Sequence, residues 1–213
     1  MNYLNEREQL VAYGKKLITD GLTTGTGGNI SLYMREEKQF LISPSGIPYF
    51  EMETEDIVVM NLQGEVVEGV RKPSSEHELH AIFYRNRSDV NSVVHTHSEY
   101  ATTFACLNQE IEPLHYLIGS IGEKIRCCAY KTFGSPELAE EAFQQIKQDK
   151  GILLGNHGVL TIGDSLGKAF EAAKDIEFIA KLAYRALSIG TPVLLNQQQL
   201  QEAVDKFGTY GQP

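Results

Sequence analysis

Residues 90–107 read VNSVVHTHSEYATTFACL, and the change of rhythm inside this stretch sets the architecture. Val90 to His97 is a short apolar run rich in β-branched residues and reads as a buried strand, whereas Glu99 to Leu107 has the spacing of a short helix. A buried strand followed at once by a helix calls for a sheet covered by helices. Working toward the N-terminus, Ser74-Ser75-Glu76 opens a helical stretch to about Tyr84. Before it, Ile57–Leu62 and Glu65–Val67 form a hairpin around Gln63-Gly64. Earlier still, alternating strands at Ile30–Met34 and Gln39–Ile42 follow the glycine-rich run Thr23-Thr24-Gly25-Thr26-Gly27-Gly28-Asn29. The first element is a helix with apolar positions at Leu10, Val11, Leu17 and Ile18, a capping-box spacing at Asn5 and Glu8, and a stop at Gly21.

Toward the C-terminus, Pro136–Gln148 is helical, and Ile152–Gly155 and Val159–Ile162 read as paired strands. Ser165–Leu187 is a long helix with Leu166, Ala169, Phe170, Ala173 and Ile176 on one face, and Asn196–Lys206 is a last helix. There is no internal repeat and no linker. The expectation is a single α/β domain over residues 1–213, a three-layer α/β/α arrangement with one mainly antiparallel central sheet flanked by helices.

Bulk properties narrow the function. The 213 residues are 42% hydrophobic and 22% charged with a net charge of -9, which fits one packed core and disfavours a nucleic-acid partner. No apolar run approaches a membrane span, and the segment Met1 to Glu8 is polar and acidic. The expected location is therefore the cytoplasm, with no membrane partner. Cys106, Cys127 and Cys128 lack the spacing of a zinc ribbon or redox motif and read as reduced, buried thiols.

Chemistry concentrates at element ends. His95-Thr96-His97 closes the strand, and the period of two turns both imidazoles to one face of the sheet, a geometry that suits one metal ion. His157, in Asn156-His157-Gly158 at the joint of two apolar strands, supplies a third nitrogen; three neutral imidazoles with an open fourth position are the pattern of catalytic zinc. Glu76 at a helix start has two readings, favourable charge on a helix N-terminus or a carboxylate facing the histidines. His80, one turn further on, is either a fourth nitrogen or a hydrogen-bonding partner behind the site, and the second is preferred. Gly28-Asn29, Ser45-Gly46 and Ser74-Ser75 offer amides and hydroxyls that can converge on an anionic group without any basic patch.

Gly25-Thr26-Gly27-Gly28-Asn29, Ser43-Pro44-Ser45-Gly46-Ile47-Pro48, Pro73-Ser74-Ser75-Glu76, His95-Thr96-His97 and Asn156-His157-Gly158 together resemble the class II aldolase and ribulose-phosphate epimerase family over nearly the whole chain. His115-Tyr116, Thr132-Phe133-Gly134 and Lys206-Phe207-Gly208-Thr209-Tyr210-Gly211 extend the resemblance toward its L-fuculose-1-phosphate aldolase branch. The resemblance implies one zinc per subunit on His95, His97 and His157, with Glu76 completing the resting coordination and acting as acid/base. It implies a substrate phosphate held by Gly28, Asn29, Ser45, Gly46, Ser74 and Ser75, with Phe133 also at the substrate. It implies a homotetramer whose sites lie between subunits, Tyr116 entering from a neighbour and Tyr210 lying on a C-terminal tail. Judged as single residues, Tyr116 and Phe133 are ordinary packing residues.

The implied reaction is reversible cleavage of a ketose 1-phosphate to dihydroxyacetone phosphate and a short aldehyde, L-lactaldehyde in that branch. The epimerase branch differs in carrying aspartate where Glu76 stands and an acidic residue near His115-Tyr116, and neither departure is present here. A methylthioribulose-phosphate dehydratase is a further enzymatic alternative. A binding module like the adducin head domain lacks the metal histidines that this chain keeps.

Overall fold

The structure, a computed structural model, describes residues 2–207. The described residues form one eight-stranded sheet built from β1 (Asn29–Met34), β2 (Gln39–Ile42), β3 (Val58–Asn61), β4 (Val66–Glu68), β5 (Ser92–Thr96), β6 (Arg126–Cys128), β7 (Gly151–Leu154) and β8 (Gly158–Gly163). Their spatial order is β4-β3-β2-β1-β5-β8-β7-β6, antiparallel at every pairing except β6 with β7. The mainly antiparallel three-layer expectation therefore holds, and β5, the stretch read first, lies near the sheet's centre.

Strand alternation divides the apolar side chains between two faces. Phe40, Ile42, Val58, Met60, Val93, Ile152, Leu154, Leu160 and Ile162 pack on one face under α2 (His77–Asn86) and α4 (Pro136–Ile146). Their neighbours in sequence, Leu41, Ile57, Val59, Val94, Leu153 and Val159, point to the opposite face. That face is covered by α1 (Leu4–Thr19), α3 (Glu99–Cys106) and the long α5 (Leu166–Ile189). The five α5 residues assigned to one face are all buried. A last helix, α6 (Gln197–Phe207), packs against the 3-10 turn Tyr116–Ser120. No helix among the described residues is long and apolar enough to cross a membrane.

Three local readings change. Asn5 and Glu8 lie inside α1, whose N-cap is Tyr3 in the left-handed region (φ 61°) without a side-chain cap; the entry is fixed instead by Arg7. The thiols are not uniformly buried: Cys106 is exposed, Cys127 half-buried and Cys128 buried. β6 is additional to the expected strands: its three residues pair in parallel with a strand distant in sequence and leave no hairpin signal.

Arg7 is only 1% exposed, and its guanidinium donates to Asn2 O (2.8 Å), Thr54 O (3.0 Å), Ile57 O (2.6 Å) and Glu68 Oε1 (2.9 Å). It ties α1 to the turn before β3 and to the sheet edge. Arg7→Met leaves those carbonyls without their donor, so we expect a loss of about 3 kcal/mol of unfolding free energy by urea titration. A change below about 0.5 kcal/mol would show that water replaces these bonds freely.

Candidate active site

The site forms where the β1 and β5 strands meet the turn before β8. Asn29 pairs with His95 across β1 and β5, and His95 pairs with Leu160 across β5 and β8, which places the histidine in the middle of the sheet. His95 is fully buried, and its Nδ1 donates to Val159 O at 2.8 Å, because a carbonyl can only accept. This bond leaves Nε2 as the atom turned toward His97, whose own Nε2 lies 3.0 Å away. His157, from the turn between β7 and β8, brings its ring to within 4.7 Å of His95 and 5.3 Å of His97, centroid to centroid.

Glu76, the N-cap of α2, closes the group from the helix side. Its Oε2 is 3.2 Å from His95 Nε2, and its Oε1 is 3.5 Å from His157 Nε2. Oε1 is buried and has no hydrogen-bond partner. One ring nitrogen from each of His95, His97 and His157 lies within 4.8 Å of the others, the grouping among the described residues that can hold a metal ion. The donor set fits a divalent cation. Three imidazole nitrogens and a carboxylate face one point, and His95 is held by a backbone carbonyl in the tautomer that a ligand needs.

The charges support the same assignment. Burial alone would raise the Glu76 pKa, but His95, then His157 and the Asn29 amide, outweigh it and hold the carboxyl far below the usual range. For His95, burial works against protonation, and the Glu76 charge and the Val159 carbonyl overcome it, so its pKa is raised. His97 and His157 are pushed down to about 4, by burial first and His95 second, which leaves both rings neutral near pH 7.

Close backbone packing brings the histidines together. A side chain at Gly28 (φ 71°) would place its Cβ 2.5 Å from His95 O, and one at Gly158 would lie 2.8 Å from the His97 ring. The Gly27-Gly28 loop is fixed from below by the buried Tyr49, whose hydroxyl donates to Gly28 O at 2.9 Å.

The candidate anion-binding segments also converge. Ser45 N donates to Lys72 O (2.9 Å) and Ser74 N to Ser43 O (3.2 Å), so Ser45-Gly46 runs beside Ser74-Ser75 at the head of α2. Asn29 joins the third segment to them through its Nδ2, which donates to Glu76 Oε2 at 2.9 Å. Ser74 and Asn29 are buried, whereas Ser45, Gly46 and Ser75 are exposed.

A cleft of about 320 Å³ opens on Glu76, His97 and His157, and is walled by Asn156, Tyr130 and Phe133. Phe133 is 64% exposed at this mouth, so it is not a core residue. Gly134 (φ 73°) seats the Phe133 loop against Ser75 O. Tyr116 is half-exposed and stacks near His115 and Phe207, outside the cleft of its own chain. Tyr210 lies outside the described residues. Sequence reasoning missed Tyr130, for which there was no local signal, and Asn156 as a wall residue. The positive φ of 53° at Asn156, just before a histidine, is the trace such a turn leaves.

A three-layer α/β/α fold with three histidines and a glutamate gathered at the strand ends of its sheet defines a protein with a site able to hold a metal ion beside an open cleft. The family model described as "Class II Aldolase and Adducin N-terminal domain" matches residues 8–184. A 5-deoxy-D-ribulose 1-phosphate aldolase of Bacillus thuringiensis serovar kurstaki is 49% identical over 97% of each chain. An L-fuculose phosphate aldolase of Haemophilus influenzae is 39% identical over 90% of this chain and 88% of its own. A solved L-fuculose 1-phosphate aldolase superposes with a TM-score of 0.95 at 40% identity, covering 98% of each chain. The protein belongs to the class II aldolase family, as one of its aldehyde-lyases.

Proposed function

We propose that this chain is a zinc-dependent aldolase that reversibly cleaves a short deoxyketose 1-phosphate to dihydroxyacetone phosphate and a small aldehyde. The observation that carries the reading is the convergence of Glu76, His95, His97 and His157 on a cleft whose outer wall is the aromatic pair Tyr130 and Phe133. Zinc held by the three histidines, with Glu76 in the resting coordination, would supply the Lewis acid that polarises the substrate ketone. Glu76 carries the proton to and from C3 of the dihydroxyacetone phosphate half. Gly28, Asn29, Ser45, Gly46, Ser74 and Ser75 hold the phosphate through amides and hydroxyls. Tyr116 exchanges a proton with the aldehyde oxygen from a neighbouring subunit of a homotetramer, a reading supported by its distance from the cleft of its own chain and its exposed ring. Tyr210, outside the described residues, keeps the catalytic role that the family resemblance implies. The protein acts in the cytoplasm as one domain over residues 1–213, without nucleic-acid or membrane partners.

Cleavage between C3 and C4 gives acetaldehyde from 5-deoxyribulose 1-phosphate and L-lactaldehyde from L-fuculose 1-phosphate, which differ by one carbinol carbon. The 49% identity to the Bacillus enzyme favours the five-carbon substrate. The L-fuculose reading is the second, supported by the 40% identity and close superposition of the solved enzyme. Retro-aldol assays on the zinc-loaded protein with both substrates separate them. We expect kcat/KM to be about tenfold higher for 5-deoxyribulose 1-phosphate, the scale of one carbon unit in a fitted pocket. A preference for L-fuculose 1-phosphate selects the second reading. Epimer or dehydration products without dihydroxyacetone phosphate would end both.

A further inference from the structure

Behind Glu76, on the side away from the cleft, a chain of polar side chains runs into the apolar layer between α2 and the sheet. Glu76, His80 and Tyr84 recur every four residues along α2, a step of about 6 Å, and Asn29 and Ser31 recur every two along β1, a step of about 7 Å. The near-equal steps let helix and strand residues interdigitate in the order Glu76, Asn29, His80, Ser31, Tyr84. Asn29 Nδ2 is 2.9 Å from Glu76 Oε2, His80 Nε2 is 2.5 Å from Asn29 Oδ1, Ser31 Oγ is 2.6 Å from His80 Nδ1, and Tyr84 OH is 2.5 Å from Ser31 Oγ. All five residues are buried, and His80 and Ser31 are 0% exposed.

The carboxylate at one end gives this chain a direction. An ionised Glu76 only accepts, so Asn29 turns its amide nitrogen to it and offers Oδ1 to His80. His80 must then carry its proton on Nε2, and its bare Nδ1 accepts from Ser31, whose oxygen in turn accepts from Tyr84. Burial pushes the His80 pKa down to about 3, consistent with the neutral ring this pattern needs. The surroundings are otherwise apolar, with Tyr33, Phe40, Ile82 and Phe83 in the same layer. An aliphatic residue at position 80 would satisfy that packing without needing any partner; what it could not do is dictate which way the Asn29 amide faces.

We propose that His80 is a positioning residue of this site: its Nε2–H locks the Asn29 amide with Nδ2 toward Glu76 and so fixes the carboxylate where it moves its proton. The inference rests on the reading of Glu76 as the proton carrier. The test uses full-length, zinc-loaded protein and follows exchange of the C3 proton of dihydroxyacetone phosphate with heavy water by NMR. His80→Phe should slow exchange about 100-fold, the scale of a small misplacement of a catalytic group, with zinc content and the half-saturating dihydroxyacetone phosphate concentration changed less than about threefold. His80→Gln, whose amide can donate to Asn29 and accept from Ser31, should recover exchange to within about tenfold of wild type. In an Asn29→Ala background, His80→Phe should add less than about twofold, because the partner it acts through is gone.

The 15N resonances of His80 in the wild-type protein should show the proton on Nε2, and this holds the proposal to account even if the Phe variant does not fold. A proton on Nδ1 overturns it. So do equal losses in the Phe and Gln variants that track lost thermal stability, or independent, multiplying effects of His80→Phe and Asn29→Ala. Failure of the Glu76 reading is distinct: exchange then persists in Glu76→Gln whatever happens at position 80.

Discussion

Glu76→Gln is expected to lower the rate at which dihydroxyacetone phosphate exchanges its C3 proton with heavy water by about 10³-fold, within the usual contribution of a general acid/base. The substitution is nearly isosteric, and the glutamine oxygen can still accept from Asn29 Nδ2, so the hydrogen bond that orients the side chain is retained. What is lost is the basic lone pair. Glu76 is buried, its Oε1 has no hydrogen-bond partner, and among the described residues lining the cleft it is the only carboxylate. Removing it leaves the proposed phosphate segments in place, because Ser45 and Ser74 are held by backbone bonds to Lys72 and Ser43. The half-saturating concentration of dihydroxyacetone phosphate should therefore stay within about threefold. Metal content must be measured alongside, since an amide is a weaker ligand than a carboxylate. Exchange within tenfold of wild type in a zinc-replete variant would move the base elsewhere, with a water near the histidines the next group to examine.

The parts of this molecule that were legible in the sequence are those that local pattern controls. Alternation at Ile30–Met34 and Gln39–Ile42, and the paired runs Ile152–Gly155 and Val159–Ile162, defined strands because each is half of a hairpin in a sheet covered on both faces, where period two decides which face a side chain enters. The helical face of α5 followed from Leu166, Ala169, Phe170, Ala173 and Ile176 for the same reason at a different period. The His-x-His pair at the end of β5 could be assigned to one face, but its meeting with His157 depends on the β5–β8 pairing, which brings residues some sixty positions apart together. Its place at the joint of two apolar strands made His157 a candidate third nitrogen, and the family resemblance pointed to the same residue. The α1 entry failed because Asn5 and Glu8 mimic a cap, whereas the buried Arg7 network decides where the chain turns. The His80 chain needed two elements at once. Its residues are ordinary on α2 and on β1 taken separately, and they form a directed hydrogen-bond series only when the four-residue and two-residue steps are laid side by side. Tyr116 lies beyond what one chain's fold can decide, since its ring does not reach the cleft of its own chain.

Stripping the metal with a chelator should reduce retro-aldol cleavage by at least about 10³-fold, and zinc should restore it. The electrophilic contribution of a bound cation is several kcal/mol, each about 1.4 kcal/mol being a factor of ten in rate. Among the described residues lining the cleft, none offers another electrophile for that proposed role. An aldolase without a metal polarises the ketone by condensing it with a lysine amine, and none of the residues described as lining the cleft is a lysine. His157→Ala tests the same point without a chelator. His157 sits in the turn between β7 and β8 and is not packed within a strand as His95 is, so its loss should leave the sheet pairing intact while opening one side of the ligand set. We expect that variant to bind zinc more weakly and to fall to a similarly low rate at limiting metal, with thermal unfolding of the metal-free proteins changed little. His95→Ala, by contrast, removes both a ligand and the bond to Val159 O from a fully buried position, and should lower stability as well as activity. Borohydride added with substrate should trap nothing, because no imine forms. Full activity in protein shown to be metal-free, or a substrate-dependent loss of activity on borohydride treatment, would replace the metal with a lysine and reduce the three histidines to a buried hydrogen-bonding cluster.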